Sequence, residues 1–178
     1  VNPHFLFNTL NTIFAMIDRD GKKAKQTVTE LSDLLRYSMA GFYKDDVFLK
    51  EETDMIRRYL DIEKQRFGRR LIMKYDIDNS LIDIRVPPMI LQPLVENAVK
   101  HGITPFKDGG SLCISIHRHQ DNLYISVENT RKPGQNGSET VKNGIGLSNL
   151  YKRLQYAYND QFTLNTEKTE DRFTARLV

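Results

Sequence analysis

The chain has 178 residues, 39% of them hydrophobic, which is enough to build one medium-sized domain, or a small domain plus a helical appendage, around a real core. Its net charge of +3 is too small, and its basic residues are too evenly mixed with acidic ones, to predict nucleic-acid binding. No stretch approaches the roughly 20 apolar residues of a membrane span. The single cysteine excludes an internal disulfide and suits a reducing compartment. The sequence does not begin with Met, so we expect it to be part of a longer protein.

The first 45 residues predict a hairpin of two helices. Their apolar residues recur every three or four positions, in narrow seams that are typical of helical bundles: Leu6, Leu10, Ile13 and Ile17, and then Ala24, Val28, Leu31 and Leu35. Such a hairpin cannot bury both seams by itself, so we expect it to dimerise into a four-helix bundle. We place the end of this first domain at residue 45 and assign residues 46–178 to a second domain.

The second domain alternates between helical and strand patterns. Helices are predicted from about Lys50 to Phe67, from the double proline to Gly102, and over Ile145–Tyr156. Period-two alternation predicts strands around 71–77, 82–86, 112–116, 123–127, 162–164 and 173–177, and the polar segment 130–143 is predicted to be a loop. The strands look antiparallel, so we expect an α+β sandwich in which helices cover one face of a single sheet.

The helical segment LQPLVENAVKHG (91–102) carries the first candidate site. Its apolar residues cover one side, and Asn97, Lys100 and His101 cluster on another because residues three and four apart share a face. An amide oxygen suits Mg²⁺, and a lysine one turn away can meet phosphate as a point charge. The alternative is a solvated helix face that simply stops at Gly102.

The segment NGIGLSNLYKRL (143–154) carries the second candidate site. Gly144 and Gly146 follow a long polar loop and begin a helix. Glycine lets the backbone approach a phosphate, which the free N–H groups of a helix start can bind. A plain turn from loop to helix explains this pattern equally well. The loop is longer than a simple connection needs, which favours a role as a lid that covers a bound ligand.

PHFLFN, LVENAVKHG and GIGLSNLYKRL, in this order, resemble the H box, the N box and the second glycine box of LytS-like sensor histidine kinases. The connecting segments LSDLLRYSM and LKEETDMIRRYLDIEKQRFGRRL also look like those of the family, so the resemblance covers essentially the whole chain. It implies a Bergerat-type α/β sandwich that binds ATP. This domain would be joined to a dimerising helical hairpin that carries the phosphorylated histidine.

The resemblance also implies roles for individual residues. His4 matches the histidine that accepts the phosphoryl group, and Asn97 matches the asparagine that coordinates Mg²⁺. The other positions that it places around the nucleotide are Lys100, His101, Gly144, Gly146 and Leu147, with Arg131, Lys132 and Lys142 in the region of the lid.

Cofactors, partners and location follow from the same resemblance. It implies ATP and Mg²⁺ as cofactors, a homodimer through the N-terminal helices, and a response regulator whose aspartate receives the phosphoryl group. We expect no nucleic acid as a partner and no membrane contact by this part of the protein. The parent protein would be anchored in the inner or plasma membrane, with this portion in the cytoplasm.

Two positions depart from the family pattern. Asn129 stands where the first glycine box has an aspartate that accepts a hydrogen bond from adenine. A neutral acceptor gives up about 1 kcal/mol, or nearly tenfold in affinity, so we predict a dissociation constant for ATP on the order of 10⁻⁴ M. Pro93 stands where hydrolysing relatives have a water-activating glutamate, which disfavours a nucleotide-hydrolysing switch. The alternative to a kinase is a dimerising scaffold with a degenerate nucleotide site.

The surroundings of His4 leave two local questions open. Phe5 follows His4, so no adjacent acid can orient the ring. Asn8, one turn away, either holds the second ring nitrogen or is a packing or capping residue. Asn2 and Pro3 fit the cap and first residue of a helix in this part of the protein. The resemblance implies helix upstream, so we favour a kink at Pro3 in the intact protein.

Overall fold

A computed structural model describes residues 2–41, 44–131 and 145–178. The chain begins with two helices, α1 (Pro3–Ile17) and α2 (Gly21–Ala40). Each starts at a polar cap: the Asn2 side chain accepts the His4 N–H at 2.9 Å, and Asp20 accepts the Lys23 N–H at 3.0 Å. Such caps satisfy backbone donors that have no partner within the helix.

The second part begins with a short strand and a helix of 19 residues. Strand β1 (Val47–Phe48) pairs antiparallel with β3 (Arg85–Val86), and α3 (Leu49–Phe67) follows β1 directly. A 3₁₀ turn, Gly68–Arg70, leads from α3 into the main sheet.

The main sheet has five strands in the order β2-β4-β5-β7-β6. Their bounds are β2 Leu71–Ile77, β4 Gly110–His119, β5 Asn122–Thr130, β6 Leu164–Lys168 and β7 Arg172–Leu177. All pairs are antiparallel except β2 and β4, which run parallel. The expected α+β class is confirmed, but the all-antiparallel reading is corrected, because a helix crosses over between β2 and β4 and such a crossover returns the chain in the same direction.

Helices cover one face of this sheet. The crossover helix α4 (Gln92–Gly102) and α5 (Ile145–Tyr158) lie next to each other. Every second residue of the central strands is buried beneath them, including Leu112, Ile114, Ile116, Ile125 and Val127. Ile72, on the opposite face of β2, is 62% exposed. The sheet therefore has one apolar and one solvated face, as its period-two pattern predicts.

The helical hairpin packs on α3 through one side only. Phe5, Thr9 and Ile13 of α1 are buried, and the Phe5 ring lies 4.8 Å from that of Tyr59 on α3. The predicted seam of α1 is therefore divided: Ile13 is buried and Leu6 packs partly buried against the core, whereas Leu10 and Ile17 face outward. The outward apolar residues are Phe7, Leu10, Phe14 and Ile17, which are between 48% and 78% exposed.

Within the ranges given above, no helix is both long and apolar enough to span a membrane.

Candidate functional site

The starts of α4 and α5 lie side by side. A Cβ placed on Gly146 would lie 3.8 Å from the Cβ of Pro93, in ordinary contact. Asn97 comes one turn after Pro93 on the same face of α4 and is half-buried. The amide that resembles the Mg²⁺ ligand therefore lies one helical turn beyond the point where the two helices meet.

The start of α5 presents backbone to this region. Gly146 is exposed and Leu147 is buried, with 6% of its surface accessible. The first N–H groups of a helix have no partner within it and attract anions. Gly144 and the lid candidates Lys132 and Lys142 lie outside the described residues.

Asn129 forms a buried corner against the end of α4. Its side chain is 1% exposed, and its Nδ2 donates to the carbonyl of Thr130 at 2.8 Å. The Oδ1 atom is buried and has no hydrogen-bond partner among the residues that the structure describes. A Cβ on Gly102 would lie 2.3 Å from Asn129 Nδ2, so only glycine fits there. An unpaired acceptor of this kind fits an adenine amino group, which would donate to it.

Lys100 and His101 lie on different sides of α4. Lys100 is exposed and lines a cavity of about 390 Å³ together with His4. His101 is half-buried and does not line that cavity. The structure thus brings Lys100 toward the histidine of α1 rather than grouping it with His101.

His4 is exposed at the first turn of α1 and faces the side of α4. The cavity that it shares with Lys100 is also lined by Glu96 of α4 and by Glu63 and Arg66 of α3. Asn8 Nδ2 lies 3.2 Å from His4 Nδ1 and 3.3 Å from Nε2. Asn8 therefore contacts the imidazole ring without selecting one nitrogen.

Glu63 is a buried acid that the sequence analysis gave no role. It is ion-paired with Arg66 at 2.8 Å and accepts the Tyr59 hydroxyl at 3.3 Å, and its side chain is 3% exposed. Burial raises the pKa of Glu63 to about 7, outweighing the lowering by Arg66 and the Tyr59 hydrogen bond, while nearby Glu96 raises it further. The signal in the sequence was an acid within an apolar helical stripe.

Glu52 is a second buried acid that the sequence did not reveal. Its carboxylate is 1% exposed and accepts the Tyr37 hydroxyl at 2.5 Å, the Met89 N–H at 2.6 Å and the Leu91 N–H at 3.1 Å. Burial raises the pKa of Glu52, although all three hydrogen bonds lower it. Glu52 thus ties α2, α3 and the loop before α4 together.

Comparisons with known proteins agree on one family. A family model described as histidine kinase matches residues 1–71. The sensor histidine kinase BtsS of Escherichia coli (strain K12) is 37% identical over 174 residues, which cover 98% of this chain and 30% of that protein. The sensor protein LytS of Staphylococcus epidermidis is 33% identical over 180 residues, covering 96% of this chain and 30% of that protein. The chain spans about 30% of the length of these relatives.

Solved structures share the fold at low sequence identity. The catalytic domain of the histidine kinase ThkA matches with a TM-score of 0.55 at 18% identity, over 74% of this chain and 91% of that one. The kinase domain of a blue-light activated histidine kinase from Erythrobacter litoralis matches with a TM-score of 0.58 at 12% identity, over 99% and 94% of the two chains. These structures show that the fold is shared, and the sensor histidine kinases at 33–37% identity show that the chain belongs to the family of LytS-like sensor histidine kinases.

Proposed function

We propose that this chain is the kinase core of a sensor protein, which transfers the γ-phosphoryl group of ATP to His4 and then to an aspartate of a response regulator. The observation that carries this proposal is that His4 lines the same cavity as Glu96 and Lys100 of α4, the helix that bears Asn97. The candidate acceptor therefore faces the helix on which the metal and phosphate ligands are expected.

The residues around the nucleotide fit distinct tasks. Asn129 Oδ1 would accept the adenine amino group, and the backbone at Gly146 would bind phosphate at the start of α5. Asn97 would hold Mg²⁺, which neutralises charge on the phosphates when it is bound. Lys100, on the side of α4 toward His4, would attract the transferred phosphoryl group.

His4 would act as the nucleophile. Transfer forms a bond from a ring nitrogen to the γ-phosphorus and breaks the bond from that phosphorus to the oxygen it shares with the β-phosphate. ADP leaves with the electron pair, and the ring releases one proton to water. Asn8 lies within hydrogen-bond distance of both ring nitrogens, so it would hold the ring in place for this attack.

We assign dimerisation and ATP binding to different parts of the chain. Residues 1–45 would form the dimerisation and phosphotransfer hairpin, and residues 46–178 the ATP-binding domain. The outward row of α1, Phe7, Leu10, Phe14 and Ile17, is the surface that a second copy would cover in a four-helix bundle. The parent protein would be membrane-anchored, with this part in the cytoplasm.

Labelling with radioactive ATP tests the proposal. The full-length protein incubated with Mg-ATP should form a phosphoprotein that is labile to acid and stable to base. His4→Gln should abolish the label, and Asn97→Asp should abolish it while the protein stays folded. Label that survives His4→Gln would refute the autokinase. A folded protein that binds no ATP and takes no label would instead be the dimerising scaffold with a degenerate nucleotide site.

A further inference from the structure

Two cavities meet at His4, and both are lined by the end of α3. The first, of about 390 Å³, contains Arg66 and Glu63 of α3 opposite His4. The second, of about 460 Å³, is lined by His4, Asn8, Arg66 and Arg70, with Phe67 and Thr104. Arg66 therefore contributes to both spaces beside the imidazole, and Arg70 to one of them.

Arg66 is held in place but leaves one donor without a partner. Its guanidinium is ion-paired with Glu63 at 2.8 Å and lies 4.2 Å from the centroid of the Phe67 ring. Its Nε is buried and has no acceptor in any described part of the chain. A buried N–H without an acceptor is unfavourable, so this side chain gains by meeting an anion.

Arg70 extends the same cationic surface. It follows Arg66 by four positions, and its guanidinium lies 5.3 Å from the same Phe67 ring. Arg66, Arg70 and Lys100 supply three cations around His4, against the two carboxylates of Glu63 and Glu96. The Glu63 carboxylate is already paired with Arg66, and the Glu96 carboxylate accepts a hydrogen bond from the Gln92 side-chain amide at 2.7 Å.

We propose that Arg66 and Arg70 form a phosphoryl-binding site that receives the phosphoryl group once it is on His4. This inference rests on the proposed function, because it assumes that His4 is the acceptor. Guanidinium groups suit the task, since their planar N–H forks match phosphate oxygens in pairs. Glu63 is a positioning residue in this site, because its carboxylate pairs with the Arg66 guanidinium and holds it beside His4.

Arginine substitutions test the site in the full-length protein. Arg70→Ala should lower the initial rate of acid-labile labelling at least tenfold, with the dissociation constant for Mg-ATP unchanged within twofold. Arg70 is exposed, so its removal should leave the fold intact. Arg66→Lys keeps the charge but loses the fork, and it should lower the labelling rate in the same way.

Arg69→Ala is the matched control, because Arg69 is equally exposed and lines neither cavity. It should label like the wild type. Labelling by Arg70→Ala and Arg66→Lys at the wild-type rate would overturn the proposal, and so would an equal loss in Arg69→Ala.

A second measurement does not depend on kinase activity. Phenylglyoxal modifies exposed arginines, and mass spectrometry reports the extent at each one. Inorganic phosphate at millimolar concentration should protect Arg70 and leave Arg69 reactive. If phosphate leaves the reactivity of Arg70 unchanged, or lowers that of Arg69 by the same factor, the phosphoryl-binding site is overturned. If the wild type takes no label but phosphate protects Arg70, the autokinase has failed and the anion site stands.

Discussion

The hydrogen bond from Tyr37 to Glu52 should contribute strongly to the packing of the helical hairpin on α3. The hydroxyl of Tyr37, on α2, lies 2.5 Å from a carboxylate that is 1% exposed on α3. Tyr37→Phe removes this donor and adds no bulk, and Glu52 keeps its backbone donors, among them the N–H groups of Met89 and Leu91. A hydrogen bond to a charged group contributes about 1.5 to 3 kcal/mol, and we expect the free energy of unfolding to fall by that amount.

Urea unfolding followed by circular dichroism measures the effect, with the slope checked for a single transition. Tyr75→Phe is the matched control: Tyr75 is also half-buried, but among the described residues its hydroxyl bonds only to the Met73 sulfur, at 3.9 Å. Its loss should cost less than about 0.5 kcal/mol, as a weak acceptor implies. Equal losses in the free energy of unfolding for the two substitutions would show that the hydrogen bond to Glu52 makes no special contribution to stability.

Three further predictions follow from the buried polar groups and the outward row of α1. The pKa of Glu63 is raised from 4.5 to about 7, so between these pH values the folded state keeps a proton that the unfolded chain has lost. The free energy of unfolding should therefore fall by roughly 3 kcal/mol as the pH rises from 4.5 to 7. Glu63→Gln should remove this decline in urea unfolding experiments. Asn129→Asp should destabilise the fold by about 1 to 3 kcal/mol in thermal denaturation, because it sets a buried carboxylate oxygen against the Thr130 carbonyl. Phe14→Ser, at a position 78% exposed in the single chain, should weaken the dimer in sedimentation experiments without lowering the stability of the chain.

Each of these has a clear contrary result. A pH dependence that is the same in wild type and Glu63→Gln would mean that Glu63 is not protonated in the folded protein. A more stable Asn129→Asp with tighter ATP binding would restore the simple family argument for aspartate. An unchanged dimer in Phe14→Ser would place the dimer surface elsewhere. A dissociation constant for Mg-ATP in the low micromolar range would contradict the predicted weak binding at Asn129.

Local patterns were sufficient for most of the second domain. Helical spacing alone places Asn97 and Lys100 near each other on α4, and alternation alone finds β4 and β5 with the correct buried face. These features depend on residues within a few positions of each other. The sequence could not show that Lys100 faces His4, because that contact depends on how α1 packs on α3.

Contacts between distant residues account for what the patterns missed. Glu52 lies in the first turn of α3, but its donors at Met89 and Leu91 are 37 and 39 positions away in the sequence. Gly102 looked like an ordinary helix end, yet glycine is needed there for the close approach of Asn129 from β5. Only the folded chain brings these groups together.

Because α1 is buried on one side and exposed on the other, a rotation of the helix about its axis would change both sides at once. One side of the helix buries Phe5 and Ile13, with Phe5 packed on Tyr59 of α3, while the other side, with Phe7 and Phe14, is exposed. Successive residues of a helix are 100° apart. A turn of that size would pull Phe5 off Tyr59, swing His4 out of its cavity and change the row offered to a second copy. A change in helix phase would therefore alter the surroundings of His4 and the apolar row that α1 exposes at the same time.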